Sequence, residues 1–191
     1  MAGIAGLVLA GGVGSRFGGP KAWALLPDGR TFLEACFASL RGGGAQTIVA
    51  TLPPGSKLPQ IDGLEVVPLL EPGLDMFASL RIGLERLVEK TGWTRVAVLP
   101  VDHPLVQAST ITALAGGAFP AAVPSHHGKH GHPVVIDRGT AELIASGRMT
   151  GPTLREVLHD AGAVDVEVDD PGTISNCNTP DALARALAVE E

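Results

Sequence analysis

Residues 4–9, Ile-Ala-Gly-Leu-Val-Leu, run directly into Ala10-Gly11-Gly12-Val13-Gly14-Ser15-Arg16-Phe17-Gly18-Gly19-Pro20-Lys21, and no other stretch limits the fold as strongly. An apolar run without polar alternation predicts a strand buried on both faces, as in parallel sheets covered by helices. Five glycines between Leu9 and Lys21 let the backbone turn its N–H groups toward an anion with little steric hindrance, and Arg16 and Lys21 add two positive charges. The segment reads as a strand followed by a phosphate cradle.

Two common phosphate-binding patterns do not describe this cradle. A dinucleotide fingerprint built on Gly12 and Gly14 would need a third glycine where Phe17 stands. A Walker loop needs Gly-Lys-Ser/Thr entering a helix, whereas Lys21 follows Pro20 and precedes Ala22. A nicotinamide-dependent reductase is disfavoured on the first count.

With 191 residues and 45% hydrophobic content, the chain suits one sizeable core and is short for two, which predicts a single domain over residues 1–191. Its net charge of -6 opposes polynucleotide binding, so an anionic substrate must be met by locally placed cations. Only Cys36 and Cys177 are present, no basic-then-apolar leader precedes Ile4, and no apolar run approaches the ~20 residues of a membrane helix. These features predict a soluble, reduced, cytoplasmic protein without a membrane span.

Apolar runs at 4–9, 47–51, 64–68, 95–101, 121–124, 133–137 and 164–168 read as strands. Between them, helical spacing marks residues 31–40, 75–90 and 109–115, and the glycines at 42–44 stop the first of these. Thr179-Pro180-Asp181 supplies an N-cap hydroxyl, a proline at the first helical position and an acid in the first turn, so 181–189 reads as a closing helix. The Pro/Gly-rich segment 52–59 reads as a surface loop. The alternation predicts an α/β fold with a mostly parallel sheet and crossover helices.

In such sheets ligands sit beyond the carboxyl ends of the strands, which draws attention to Asp102, directly after the apolar residues 96–101. A carboxylate there suits a hard cation and equally suits a helix cap. Four of the six histidines, His126, His127, His130 and His132, fall within seven positions. They read as a polar loop around a pocket, or as a zinc or copper site if the imidazoles converge.

The first loop resembles the signature of nucleotidyltransferases that build molybdenum cofactor dinucleotides, Leu-Ala-Ala/Gly-Gly-x-Ser-x-Arg-x-Gly-x-x-Lys. The resemblance implies a three-layer αβα, Rossmann-like nucleotidyltransferase fold of the GT-A kind. It implies that Leu9, Ala10, Gly11, Gly12, Gly14, Ser15, Arg16 and Lys21 surround a nucleoside triphosphate. Asp102-His103-Pro104-Leu105 is similar to the family's Asp-x-Pro-Leu, whose Asp holds Mg²⁺ and faces the nucleotide. Residues 175–181, Ser-Asn-Cys-Asn-Thr-Pro-Asp, are similar to its closing motif, which makes Asn178 the second metal ligand.

Residues 74–84 resemble the Gly-Met-Ser-x-Ser-Leu-Arg-x-Gly-Leu stretch of the cytidylyltransferase branch, with Ser79 as the nucleotide contact. Asp75 replaces that stretch's glycine and Phe77 its first serine, and a plain amphipathic helix explains the same apolar positions. Gly131-His132-Pro133-Val134 resembles a segment that approaches the acceptor, which makes His132 the acceptor contact.

The implied reaction is Mg²⁺-dependent transfer of a nucleoside monophosphate from CTP or GTP to a phosphorylated acceptor of the molybdopterin type, releasing pyrophosphate, with Arg16, Lys21 and Asp102 as the catalytic residues. Leu9-Ala10-Gly11-Gly12 leans toward the guanylyltransferase branch and the two later segments toward CMP transfer, which they favour two to one. A sugar-phosphate acceptor and a non-catalytic nucleotide- or cofactor-binding chaperone are the other readings, and a molybdoenzyme is the expected partner protein.

Overall fold

The computed structural model describes residues 3–12, 19–151 and 153–188; Gly14, Ser15 and Arg16 of the expected cradle lie outside the described residues. Eight strands form one sheet: β1 (Ile4–Leu9), β2 (Ala45–Leu52), β3 (Leu64–Pro68), β4 (Arg95–Pro100), β5 (Ala121–His126), β6 (Lys129–His130), β7 (Val134–Asp137) and β8 (Val164–Glu167). Their order is β3-β2-β1-β4-β7-β5-β6, with β8 pairing β5. The pairs β1–β2, β1–β4, β2–β3 and β5–β8 are parallel, whereas β7 runs antiparallel to both β4 and β5.

Alternation along β1 builds two cores. Ala5, Leu7 and Leu9 face one side with Val49, Val96 and Val98, where they meet Leu80, Leu84 and Leu87 of α2 (Met76–Val88), Ile144 of α4 (Arg138–Ala145) and Leu154 and Val157 of α5 (Leu154–Asp160). Val8 and Ala10 face the other side with Ile48, Ala97 and Leu99. There they meet Phe32, Leu33, Cys36 and Leu40 of α1 (Phe32–Gly42), Ile111 and Leu114 of α3 (Ala108–Ala115) and Leu183 of α6 (Pro180–Leu187). Helices on both faces of a mostly parallel sheet make the three-layer αβα arrangement, and β1 lies near its middle, as a purely apolar strand must.

Local chemistry sets the helix ends. Thr31 and Glu34 form a reciprocal capping box on α1, and Gly44, at φ 97°, carries the chain out beyond its C-cap. Thr179 accepts from the Ala182 N–H at 3.1 Å with Pro180 behind it, as its sequence foretold. Asp75 caps α2 by accepting from the Ala78 N–H at 2.8 Å.

The structure departs from the sequence reading in the second half of the chain. The strand expected at 121–124 continues to His126 and turns into β6, and the strand expected from Pro133 begins at Val134. Helices α4 and α5 had no counterpart in the sequence reading. They span 8 and 7 residues, too few for an apolar repeat to stand out, and Asp137 ends β7 while capping α4, so no glycine or proline separates the two. The closing helix begins at Pro180 and ends at Leu187, and residue 189 of the expected range lies outside the described residues. Among the described residues no helix is long and apolar enough to cross a membrane.

Gly83 is where α2 comes down onto the sheet. A Cβ at that position would stand 2.5 Å from Leu7 Cδ1 and 3.2 Å from Thr51 Cγ2, both buried. Gly83→Leu is expected to lower stability by about 1–3 kcal/mol through overpacking, read as a shift in the urea unfolding midpoint; an unchanged midpoint would mean that α2 can slide away at no cost.

Candidate active site

The sheet reverses direction of growth at β1, with β2 and β3 on one side and β4 and its neighbours on the other. The loops leaving such a pair of strands diverge and open a crevice at their carboxyl ends. Leu9 pairs with Pro100, the Val101 N–H donates to the Leu9 carbonyl at 3.0 Å, and the Ala10 N–H donates to the Thr51 carbonyl at 3.1 Å. The glycine-rich loop and Asp102 therefore leave the sheet side by side at the crevice.

Lys21 returns to this point from the far end of the loop. It opens a 3-10 turn, Lys21–Trp23, whose Ala22 is fully buried, and the Phe32 N–H ties Ala24 down at 2.8 Å. The Lys21 Nζ lies 3.0 Å from Asp102 Oδ2, and both side chains are about four-fifths buried, at 20% and 18% exposure. The same ammonium donates to the Asn178 carboxamide oxygen. Asn178 is brought there by its own loop, because the Cys177 N–H donates to the Asp102 carbonyl at 2.8 Å.

The ammonium is thus a cation held between a carboxylate and an amide oxygen from separate loops. Oxygen donors of this kind suit a hard divalent ion, so Asp102 and Asn178 fit the metal that the sequence implied, with Lys21 in the cation's place. Among the described residues no three His, Cys, Asp or Glu side chains converge on a metal. A metal here would depend on one carboxylate, one amide and the oxygens of a ligand or water.

The other expected residues fall as follows. Leu9 and Ala10 are buried in the sheet, Gly11 is buried, and Gly12 is exposed with open space around it. A Cβ on Gly11 would lie 2.4 Å from Leu69 Cδ1 and 3.1 Å from Ser79 Oγ, so the loop passes directly over the start of α2. Ser79 is therefore beside the loop, but it is buried and its hydroxyl donates to the Asp75 carbonyl at 3.0 Å. Phe77 packs against the core and Asp75 is a helix cap, which accounts for the two departures from the resembled motif in plain structural terms.

The four clustered histidines do not converge on one point, although the rings of His126 and His127 touch, with centroids 4.3 Å apart. His126 Nδ1 lies 3.0 Å from the Val168 carbonyl, His127 is exposed with φ 49°, and His130 Nε2 lies 3.0 Å from Asp165. His132 instead meets His103, the residue after Asp102, edge to face with ring centroids 5.0 Å apart. Its backbone is pinned by a 2.9 Å bond to the Thr173 carbonyl, which passes so close to Gly131 that a Cβ there would stand 2.1 Å from it. His132 Nδ1 is sealed from solvent and has no hydrogen-bond partner among the described residues. Burial, then the neighbouring His103, lowers its pKa to about 4, and burial likewise pulls His103 below the ordinary imidazole range. Both rings are neutral near pH 7.

These rings line a cleft of ≈ 580 Å³ that reaches from His103 and Asn176 to α5, with Val123, Val134, Leu154 and Leu158 among its walls. Its size falls in the range of small-molecule sites, roughly 300–1,000 Å³. The sequence reading had assigned a role to neither His103 nor Asn176; His103 follows Asp102 and Asn176 stands two residues before Asn178, and that proximity was the available signal.

Comparison with known proteins gives a consistent set of likenesses. The model of the MobA-like NTP transferase domain matches residues 6–165. A molybdenum cofactor guanylyltransferase of Xanthomonas euvesicatoria is 31% identical over 189 residues, covering 95% of this chain and 93% of that protein. The crystal structure of Rv0371c from Mycobacterium tuberculosis superposes with TM-score 0.78 and 26% identity over 98% of both chains. A structure of Rv0371c in complex with manganese gives TM-score 0.74 at 24% identity, again over 98% of both chains.

A buried neutral imidazole leaves a signature in acid. The unfolded chain takes up a proton near the ordinary 6.5, whereas folded His132 does so only near 4, so its contribution to stability is complete above 6.5 and is lost as pH falls from 6.5 toward 4. His132→Asn should lose less melting temperature than wild type between about pH 7.5 and about pH 5 in calorimetry. Equal losses would show that the ring is not kept neutral by the fold.

Proposed function

The chain belongs to the family of MobA-like NTP transferase domains and is a nucleotidyltransferase of molybdenum cofactor biosynthesis; from that footing we propose that it transfers GMP from GTP to a molybdopterin-type acceptor. The observation that carries this reading is the Lys21 ammonium lodged between Asp102 and Asn178 at the switch point of the sheet. A cradle, a cation and two oxygen donors at one strand edge are what a triphosphate needs, and nothing in the reaction calls for a covalent enzyme nucleophile.

Guanine is preferred over the cytosine favoured by the sequence reading for two reasons. The relative from Xanthomonas euvesicatoria that matches almost the whole chain is a guanylyltransferase. The α2 segment that leaned toward cytosine is explained by helix packing and capping, with the Ser79 hydroxyl engaged inside the helix. The Leu9-Ala10-Gly11-Gly12 lean toward guanine then has a single opposing segment, Gly131-His132-Pro133-Val134, and the guanylyltransferase relative decides between them.

In the proposed reaction an oxygen of the acceptor's phosphate attacks the α-phosphorus of GTP in line. A new P–O bond forms to the acceptor, the bond to the bridging oxygen breaks, and pyrophosphate leaves with the electron pair. Asp102 and Asn178 would hold a divalent cation, Mg²⁺ as expected or Mn²⁺ as in the complex of Rv0371c, which when bound lends Lewis-acid charge to the phosphate oxygens. Lys21, displaced from between them, is free to grip the triphosphate on a chain anchored by Ala22. In this reading the backbone N–H groups of Gly11 and Gly12 serve the triphosphate, as expected from the sequence also of Gly14, Ser15 and Arg16, which lie outside the described residues. His132, neutral and among the residues lining the cleft, contacts the acceptor in this reading. The residues work by positioning two polyanions and offsetting their charge in the transition state.

Purified protein with GTP, acceptor and Mg²⁺ is expected to release pyrophosphate, and CTP should support at most a small fraction of that rate; a faster rate with CTP would restore the cytosine reading. Lys21→Met and Asp102→Ala should each lower turnover by at least ~100-fold, the scale of one preorganised electrostatic contact. Mn²⁺ binding without nucleotide, followed by electron paramagnetic resonance, should separate them, because Lys21→Met vacates the cation's place and tightens it while Asp102→Ala weakens it. Weaker Mn²⁺ binding in Lys21→Met would contradict the assignment.

A further inference from the structure

Among the described residues Asp170 is the only carboxylate that the fold buries outright, at 1% exposure, and the reaction proposed above makes no use of it. A buried carboxylate is costly unless hydrogen bonds replace its water, and here three donors do so. Its Oδ1 accepts from the Gly172 N–H at 2.9 Å, inside the 3-10 turn Pro171–Thr173 that it caps. Its Oδ2 accepts from the Gln107 N–H at 2.9 Å and from the buried Thr110 hydroxyl at 2.6 Å, both at the start of α3. Capping the turn alone would need one acceptor, which Asn or Ser supplies without a buried charge. The second oxygen makes Asp170 a clamp between two loops.

Both loops carry the inner wall of the cleft. Helix α3 begins just after the loop that holds Asp102 and His103, and a Cβ on Gly172 would stand 2.4 Å from the Leu105 carbonyl, so turn and loop meet backbone to backbone where the clamp closes. From the turn, the Thr173 carbonyl accepts from the His132 N–H at 2.9 Å, and the Gly172 carbonyl lies 3.4 Å from His103 Nδ1. Thr173, Ile174 and Asn176 line the cleft together with these two histidines. We propose that Asp170 is a positioning residue for the acceptor, setting the inner wall of the cleft by clamping the turn to the start of α3; this rests on the acceptor occupying that cleft in the reaction above. Asn178 has its own anchor in the bond from the Cys177 N–H to the Asp102 carbonyl, so a displaced turn reaches the histidines without releasing the metal ligands.

The test measures equilibrium binding of a pterin carrying a phosphate monoester, and separately of Mn²⁺ alone, to wild type, Asp170→Asn, Thr110→Val and Thr110→Ser. Asp170→Asn points an amide N–H at one of the three donors and should weaken pterin binding about 10-fold, the scale of one net hydrogen bond. Thr110→Val removes a single bond from the clamp and serves where Asp170→Asn does not fold; it should weaken the pterin about threefold, while Thr110→Ser, which keeps the hydroxyl, stays within about twofold of wild type. Mn²⁺ binding should stay within about twofold in every variant, because the metal ligands share no partner with the clamp. In steady-state assays Asp170→Asn should raise KM for the acceptor by about the same factor as its loss of pterin binding and leave KM for GTP within about twofold. A purely structural role would lower the melting temperature of Asp170→Asn or Thr110→Val and leave pterin binding unchanged, and that result would overturn the inference. So would equal weakening of pterin and Mn²⁺, or a wild type that binds no pterin. If the variants weaken pterin binding as expected but wild type releases no pyrophosphate from any triphosphate, the reaction assigned above fails and the role of Asp170 stands.

Discussion

The bond from the Cys177 N–H to the Asp102 carbonyl joins the last loop of the chain to the end of β4, and the candidate site depends on it. Asp102 and Asn178 are far apart in sequence, and this backbone contact brings their loops together where one ammonium reaches both. Its setting is dry: Cys177 and Cys36 are fully buried, and the Cys36 thiol lies near the carbonyls of Val101 and His103. Burial holds that thiol strongly toward its protonated, unreactive form. Two cysteines that might suggest redox chemistry are in fact small core residues beneath the strand edge.

Much of this was legible in sequence because it follows from local rules. An uninterrupted apolar run became a central strand, and Thr179-Pro180 became a capped helix start. Asp102, placed by the simple expectation that ligands gather after parallel strands, does lie at the crevice beside Lys21. What remained hidden was tertiary. No spacing rule could show that Ser79 would bond back to Asp75, that Asp75 would serve as a cap, or that His132 alone of four neighbouring histidines would turn toward Asp102's neighbour. The short helices α4 and α5 escaped notice for want of length, and with them went any view of the outer wall of the cleft.

Charge distribution resolves an apparent conflict between an acidic chain and a reaction of polyanions. Surface pairs such as Arg81 with Glu85 and Arg138 with Glu142 neutralise cations locally and contribute little individually. Lys21 is different, since it is mostly buried and its partners are groups that a divalent ion could take over. With the Lys21 ammonium against it, the Asp102 carboxylate is not left bare in a poorly solvated crevice.

Strand polarity explains how the two halves of the site meet. Because β7 runs against β4, it is the beginning of β7, not its end, that reaches the crevice, and the two residues just before it are His132 and Pro133. In the proposed reaction Leu9–Gly12, Lys21, Asp102 and Asn178 are the nucleotide side, and the β5-β6-β7 segment with α5 is the acceptor side, which reaches the crevice from the opposite direction. On that division the antiparallel segment and α5 can be remodelled around a different acceptor without disturbing the parallel strands, much as a tool keeps its handle when its head is changed.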